Sequence, residues 1–111
     1  MIINKPTVKI YIVSIYDDLL KEICAGIEEE GVLYEVVHQT DARVSELAYQ
    51  AAHDSIVAVG IGIVHREVAM HLEQCAKGTD AFCLLSPTAD QCRRLGANAA
   101  RAVKRKPFKS I

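Results

Sequence analysis

The chain has 111 residues, a mass of 12.2 kDa and a formal net charge of −1, with 50% hydrophobic and 24% charged residues. These values are typical of one globular domain over residues 1–111, and they exclude a disordered chain, a collagen-like repeat and a coiled coil. Thirteen basic against fourteen acidic residues argue against a nucleic-acid binder that works through bulk positive charge.

Strand and helix patterns alternate four times along the chain. Each predicted strand is a short run of β-branched or apolar residues, and each predicted helix has apolar residues at the spacing of one helical face. The predicted strands are residues 7–13, 32–38, 56–63 and 81–85. The predicted helices run from Asp17 or Asp18 to Glu30, from Thr40 or Asp41 to about Ala52, from about His65 to Ala76, and from Ser86-Pro87 to before Pro107.

This alternation, with short connections, predicts an α/β fold: a three-layer α/β/α sandwich with a mostly parallel sheet of four or five strands. The apolar run over 56–63 is typical of a strand that helices cover on both faces. Gly60 and Gly62 begin like a dinucleotide fingerprint, but His65 replaces the third glycine and the run follows the third strand. We interpret them as glycines that let a helix or a partner backbone come close.

The candidate catalytic residues form no pattern typical of an enzyme. The four histidines, at positions 38, 53, 65 and 71, are interpreted as surface or helix-end residues, although His38 lies where α/β folds bind ligands. The four cysteines lie at positions 24, 75, 83 and 92, and no two of them form a CxxC pair. We therefore predict reduced, buried thiols. Because a GxxxxGK[ST] phosphate loop is also absent, we predict no catalytic residue and no nucleotide bound by this chain alone.

An acidic run ends the first predicted helix. Gly26-Ile27-Glu28-Glu29-Glu30-Gly31 places three carboxylates at the negative end of the helix dipole, where each costs about 0.3–1 kcal/mol when exposed. On a helical wheel Glu29 points outward, about 150° from the centre of the apolar face, with Ala25 and Gly26 on the same outer side. The run is either a solvated helix end or a site where Glu29 reaches a cation or a basic group on another protein.

The C-terminal segment has the opposite charge. Part of its basic cluster complements the negative end of the last predicted helix, and few aromatic residues lie there to stack on nucleic-acid bases. The functional alternative is a docking surface for an acidic partner. The cluster holds seven of the thirteen basic residues: Arg93, Arg94, Arg101, Lys104, Arg105, Lys106 and Lys109.

Two motifs resemble the small (beta) subunit of the diol and glycerol dehydratase-reactivating factors. They are Gly26-Ile27-Glu28-Glu29-Glu30-Gly31-Val32, and Gly96-Ala97-Asn98-Ala99-Ala100-Arg101-Ala102-Val103-Lys104 followed by Pro107-Phe108. Val59-Gly60-Ile61, with His65-Arg66 after it, resembles the third-strand region of the same family. The resemblance covers nearly the whole chain, and it implies a fold similar to that of the dehydratase's own medium (β) subunit.

The resemblance implies a non-catalytic partner subunit. In the family, a large subunit with an actin- and heat-shock-like fold hydrolyses ATP, and the assembly docks transiently on dehydratase that carries damaged cobalamin. The small subunit exchanges places with the dehydratase β subunit, which frees the cofactor. The middle glutamate of the acidic run completes a magnesium site on the large subunit. That residue is Glu29 here, and the implied interface also contains Ala25, Gly26, Glu28 and Glu30.

Other functions stay open. The chain lacks the cobalamin-binding pattern DxHxxG, so we predict no cobalamin bound by this chain alone. Ser86-Pro87-Thr88 stands where the family is expected to have a histidine-rich stretch, and this departure concerns the choice of partner. One alternative is a medium-subunit-like component of the dehydratase itself, which the short segment before Thr7 disfavours. Another is a stand-alone small-molecule binder with an apolar pocket near His38 and Gly62. No apolar run approaches the roughly 20 residues that span a bilayer, so we expect a cytoplasmic protein, inside or outside a bacterial microcompartment.

Overall fold

One mixed sheet organises the computed structural model, which describes residues 5–13 and 17–111. Its strands are β1 (Val8–Val13), β2 (Tyr34–His38), β3 (Val59–Val64), β4 (Glu67–Leu72) and β5 (Phe82–Leu85), in the spatial order β2-β1-β3-β4-β5. β1 pairs in parallel with β2 and β3, whereas β4 is antiparallel to both β3 and β5. The predicted α/β class is confirmed: β1, β2, β3 and β5 run in one direction and β4 alone is reversed, so two of the four strand pairs are antiparallel.

Helices cover both faces of this sheet. In the described part of the chain they are α1 (Asp17–Glu29), α2 (Val44–Asp54) and α3 (Ala89–Lys104). Ile61 and Ile63 of β3 belong to the core beneath α1 and α3, whereas Gly60 and Gly62 face α2. Successive side chains of a strand point to opposite faces, so the three-layer sandwich is confirmed. None of these helices is long and apolar enough to cross a membrane.

The predicted helix over residues 65–76 is wrong, because this segment forms β4 and the turn before it. The β3–β4 register pairs Val64 with Glu67, which leaves a two-residue hairpin loop. In that loop His65 has a φ of 53°. The favoured two-residue hairpin turns require such a positive φ, and glycine or asparagine usually supplies it. Since His65-Arg66 contains neither residue, the sequence lacks the usual signal for this hairpin.

The N-caps of two helices lie two or three residues after the expected ones. Thr88, rather than Ser86, caps α3: its hydroxyl accepts a hydrogen bond from the Gln91 backbone N–H at 3.1 Å, and the Gln91 side chain accepts one from the Thr88 N–H at 2.9 Å. This reciprocal pair is a capping box. Arg43 precedes α2 without a side-chain capping bond.

α1 and α3 cross at close range because a glycine on each helix removes a side chain from the contact. A Cβ on Gly26 would lie 2.1 Å from the carbonyl oxygen of Arg93, and a Cβ on Gly96 would lie 2.0 Å from that of Ile23. The prediction that Gly26 lies on the outer side of α1 is therefore wrong, because Gly26 is buried against α3. A helical wheel that is oriented by the apolar residues shows the face of α1 that packs on the sheet. It does not reveal the second buried face, where Gly26 contacts α3.

Gly96→Ala should lower the free energy of unfolding by about 3 kcal/mol, because the added methyl group must force the two helices apart. Urea denaturation followed by circular dichroism measures the loss. The control is Gly78→Ala: Gly78 has a φ of 87° but no atom within 4 Å of an added Cβ, so only the left-handed backbone costs about 1–2 kcal/mol. A loss at Gly96 no larger than that at Gly78 would contradict the close crossing.

Candidate functional site

The acidic end of α1 lies beside α3, and each of its carboxylates has a different partner. Gly31, with a φ of 74°, ends the helix in the left-handed conformation as predicted. Hydrogen bonds join Tyr34 to Glu28, Arg93 to Glu29, and both Arg101 and Lys104 to Glu30. These contacts compensate for the negative charge that the acidic run adds at the negative end of the helix dipole.

Of the three carboxylates in the acidic run, Glu30 is the most enclosed, with a side chain only 13% exposed. The Lys104 Nζ donates to its Oε1 at 2.8 Å and to its backbone carbonyl at 2.7 Å, and the Arg101 Nε donates to its Oε2 at 3.3 Å. The hydrogen bonds from Lys104 and then Arg101 hold the pKa of Glu30 below its usual value. Glu30 therefore joins the end of α1 to the last turns of α3, and most of its carboxylate is inaccessible to another protein.

Glu29 presents a half-exposed carboxylate, with a side chain 53% exposed. Its Oε1 accepts a hydrogen bond from the Arg93 Nη1. The Nε and Nη2 of the same guanidinium donate to the Glu22 Oε1 at 3.0 and 2.8 Å. Within the described residues, no hydrogen bond reaches the Glu29 Oε2. Two carboxylates share one guanidinium, so the group keeps one net negative charge, and the Glu29 Oε2 is uncommitted.

Glu29 is not part of a metal site formed by the described residues alone. Across residues 5–13 and 17–111, no three histidine, cysteine, aspartate or glutamate side chains lie close enough together to hold an ion. Carboxylate oxygen is a donor that Mg²⁺ prefers, and Mg²⁺ is commonly held by one or two carboxylates, with water and phosphate oxygens as its other ligands. The single exposed Glu29 carboxylate fits one ligand contributed to a site held elsewhere.

A groove lies beside the same end of α1, between this helix and the edge strand β2. Its volume is about 490 Å³. Ala25 and Glu28, both predicted for an interface, line it. The full lining is Leu20, Lys21, Cys24, Ala25, Glu28, Tyr34 and Val36. The exposed region on α1 is this groove together with the Glu29 carboxylate, which does not line the groove but lies one helical turn after Ala25.

The basic cluster of the C-terminal segment was predicted to dock an acidic partner, and for three of its members that partner is α1 of the same chain. Arg93, Arg101 and Lys104 bind Glu22, Glu29 and Glu30 as described above. The two oppositely charged motifs each begin with a glycine, Gly26 and Gly96. From the sequence, the pairing of the two segments could have been predicted from this shared arrangement of a glycine followed by charges of opposite sign.

His71 differs most from its predicted surface position, because it is fully buried on β4. Its Nδ1 lies 3.3 Å from the Asp80 Oδ1, and the Ser45 hydroxyl donates to the Asp80 Oδ2 at 2.7 Å. The hydroxyl bonds the carboxylate and not the imidazole, so these residues are not a nucleophile–base pair. They tie the segment after β4 to α2.

The four cysteines are free thiols. Cys92 is buried and Cys83 is exposed, so the prediction of buried thiols is wrong for Cys83. Desolvation raises the pKa of Cys92 to about 11, and it also raises the pKa of Cys24 and Cys83. Raised pKa values leave little thiolate at neutral pH, which disfavours nucleophilic chemistry at these three positions.

The small-molecule pocket predicted near Gly62 is filled by α2. A Cβ on Gly62 would lie 2.5 Å from the carbonyl oxygen of Val44, and a Cβ on Gly60 would lie 2.0 Å from the backbone nitrogen of Ala52. The interpretation of these glycines as residues that admit a helix is confirmed.

Comparison with known proteins assigns the chain to a family. The dehydratase medium subunit family matches residues 5–109. The chain belongs to this family. One relative is the diol dehydratase-reactivating factor small subunit of Klebsiella michiganensis, 33% identical over 109 residues that cover 97% of this chain and 87% of that protein. Another is the propanediol dehydratase-reactivating factor small subunit of Salmonella typhimurium, 31% identical, with coverages of 97% and 94%.

Solved structures of dehydratase reactivases have the same fold as this member of the dehydratase medium subunit family. A structure of diol dehydratase-reactivating factor complexed with ADP and Mg²⁺ matches with a TM-score of 0.91 at 31% identity, covering 96% of this chain and 100% of the matched chain. A glycerol dehydratase reactivase also matches at 0.91, with 28% identity and coverages of 96% and 98%. The resemblance inferred from the two motifs is confirmed.

The Glu30 contact predicts that stability falls in acid. A lowered pKa stabilises the fold above the ordinary carboxyl pKa of about 4.3, and that contribution is lost as the pH falls through the lowered value. Glu30→Gln should therefore be less stable than the wild type at pH 7, and the difference should shrink roughly between pH 5 and pH 3.

Urea denaturation at pH 7, 5, 4 and 3 measures this difference. Glu46→Gln, at an exposed position on α2, is the control, and it should change stability little at each pH. A gap between Glu30→Gln and the wild type that stays constant over this range would contradict the assignment.

Proposed function

We propose that this chain is the non-catalytic small subunit of a chaperone-like, ATP-dependent reactivating factor, which releases damaged cobalamin from a B12-dependent diol or glycerol dehydratase. The observation that carries the proposal is the similarity, over 97% of the chain, to two reactivating-factor small subunits. In the proposed assembly ATP is hydrolysed on a large subunit, and this chain contributes binding surfaces. The predicted cytoplasmic location, inside or outside a microcompartment, stays a prediction.

The family fold supports release by subunit exchange. The chain has the fold of a dehydratase medium subunit, and two chains of one fold can occupy the same place on a dehydratase in turn. In the proposed sequence this chain docks transiently where the dehydratase's own β subunit was. The large reactivase subunit then clashes with the dehydratase, the damaged cofactor leaves, and ATP hydrolysis resets the assembly.

The exposed region on α1 is the proposed contact with the large subunit. The groove lined by Ala25 and Glu28 is open and partly apolar, and Glu29 next to it offers its free Oε2. We assign Glu29 as this chain's ligand to a Mg²⁺ ion that the large subunit holds. When bound, that ion would neutralise phosphate charge on the nucleotide. A solved relative was complexed with ADP and Mg²⁺, which supports this assignment.

Release of cobalamin is the direct test of the proposed function. Dehydratase loaded with cyanocobalamin is incubated with this chain, a reactivating-factor large subunit, ATP and Mg²⁺, and free cobalamin is measured by absorbance after ultrafiltration. We expect release only when both reactivase subunits and ATP are present. If the chain instead binds a dehydratase large subunit stably and the complex retains cobalamin, the second candidate function is correct, namely that the chain is a component of the dehydratase itself. The observation in favour of this second candidate is the match to the dehydratase medium subunit family.

Glu29→Gln should weaken binding to the large subunit about tenfold or more in Mg²⁺ and ADP, because an amide is a poor substitute for a carboxylate ligand. In EDTA the variant should bind as the wild type does. Isothermal titration calorimetry measures both affinities, with Glu46→Gln as the control on the opposite face of the sheet. Equal affinities of Glu29→Gln and the wild type in Mg²⁺ would rule out the metal role.

A further inference from the structure

We infer that Arg93 is a positioning residue for Glu29: it holds one carboxylate oxygen so that the other is presented to the ion on the partner subunit. The inference rests on the proposed function, since it concerns how the Glu29 ligand is prepared. Its basis is the guanidinium that α3 places between two glutamates of α1.

The backbone places Arg93 at the centre of a stripe on α1. Glu22, Gly26 and Glu29 are spaced i, i+4 and i+7, so they lie on one side of the helix. The carbonyl of Arg93 lies over Gly26, where a Cβ would approach it to 2.1 Å. The guanidinium can therefore reach one glutamate on each side of the glycine without any movement of the helices.

Glu22 fixes the position of the Arg93 guanidinium independently of Glu29. It accepts from both Nε and Nη2, at 3.0 and 2.8 Å, and its side chain is only 27% exposed. Both donors converge on this one oxygen, and the planar guanidinium holds them in a fixed relation to it, whereas the ammonium of lysine is a single flexible point charge. The third nitrogen of the guanidinium, Nη1, then donates to the Glu29 Oε1.

The same arrangement prevents Arg93 from cancelling the charge of Glu29. A guanidinium paired with Glu29 alone would neutralise that carboxylate and repel a cation. Because Glu22 also pairs with the guanidinium, one net negative charge remains. Hydrogen-bonding partners behind a metal ligand orient it, and their loss typically costs 10–100-fold in metal affinity. Arg93 has the geometry and the charge balance for this role.

The experiment measures the magnesium-dependent part of binding to the reactivating-factor large subunit. For each variant the ratio of Kd in EDTA to Kd in Mg²⁺ and ADP is obtained by calorimetry. Arg93→Met keeps much of the side-chain stem and removes the donors, and we expect its ratio to be about tenfold below that of the wild type. Arg94→Met is the matched control, because Arg94 pairs with Asp90 on its own helix, and its ratio should stay unchanged.

Two further variants keep the test decisive. In a Glu29→Gln background, Arg93→Met should change the ratio no further, since Arg93 acts through Glu29. Arg93→Lys preserves the positive charge and replaces Arg93→Met if that variant fails to fold. It should give an intermediate ratio, because one ammonium does not reproduce the planar guanidinium. Thermal melts followed by circular dichroism establish that each variant is folded.

Several outcomes would overturn the inference. Equal weakening by Arg93→Met in EDTA and in Mg²⁺ would mean a purely structural role, and a ratio that rises would mean that Arg93 competes with the ion. If Glu29→Gln lowers the ratio while Arg93→Met leaves it unchanged, the inference fails and the proposed metal role of Glu29 stands. If Glu29→Gln itself leaves the ratio unchanged, the metal role fails and the inference fails with it.

Discussion

The close crossing of α1 and α3 is the constraint on which the rest of the structure depends. Gly26 and Gly96 let the two backbones approach until each glycine faces a carbonyl oxygen of the other helix. At that separation, side chains on either side of the crossing meet across the seam between the helices. The acidic end of α1 therefore finds its partners on α3, and the whole layer covers one face of the sheet as a single unit.

The three neighbouring carboxylates divide into different tasks because the helix turns about 100° at each residue. Glu30 faces α3 and joins the helix ends, Glu28 turns toward Tyr34 and the groove, and Glu29 lies between them with one oxygen bound and one free. The three consecutive glutamates therefore have different roles: Glu30 makes a structural contact, Glu28 lines the groove and Glu29 is a candidate ligand. The division follows from helical geometry and from what lies on each side.

Local patterns predicted much of the fold and part of the site. The apolar spacing of α1, the left-handed Gly31 and the buried run of β3 are properties of short segments, and each was predictable. The β3–β4 hairpin was missed because His65 adopts a positive φ without glycine or asparagine. Gly26 was misplaced because its neighbour is distant in sequence: the Arg93–Glu29 and Lys104–Glu30 contacts join residues 64 and 74 positions apart. Pairings at that distance leave no periodic signal.

The mutual pairing of acidic and basic side chains along the seam also determines how the molecule meets other proteins. Charges that are matched within the chain produce only a weak field beyond about 8–10 Å at physiological ionic strength. The seam therefore offers a partner approaching from solution no large patch of one sign, unlike the surfaces of electrostatically steered complexes. Recognition at the seam must rest on contacts made at short range.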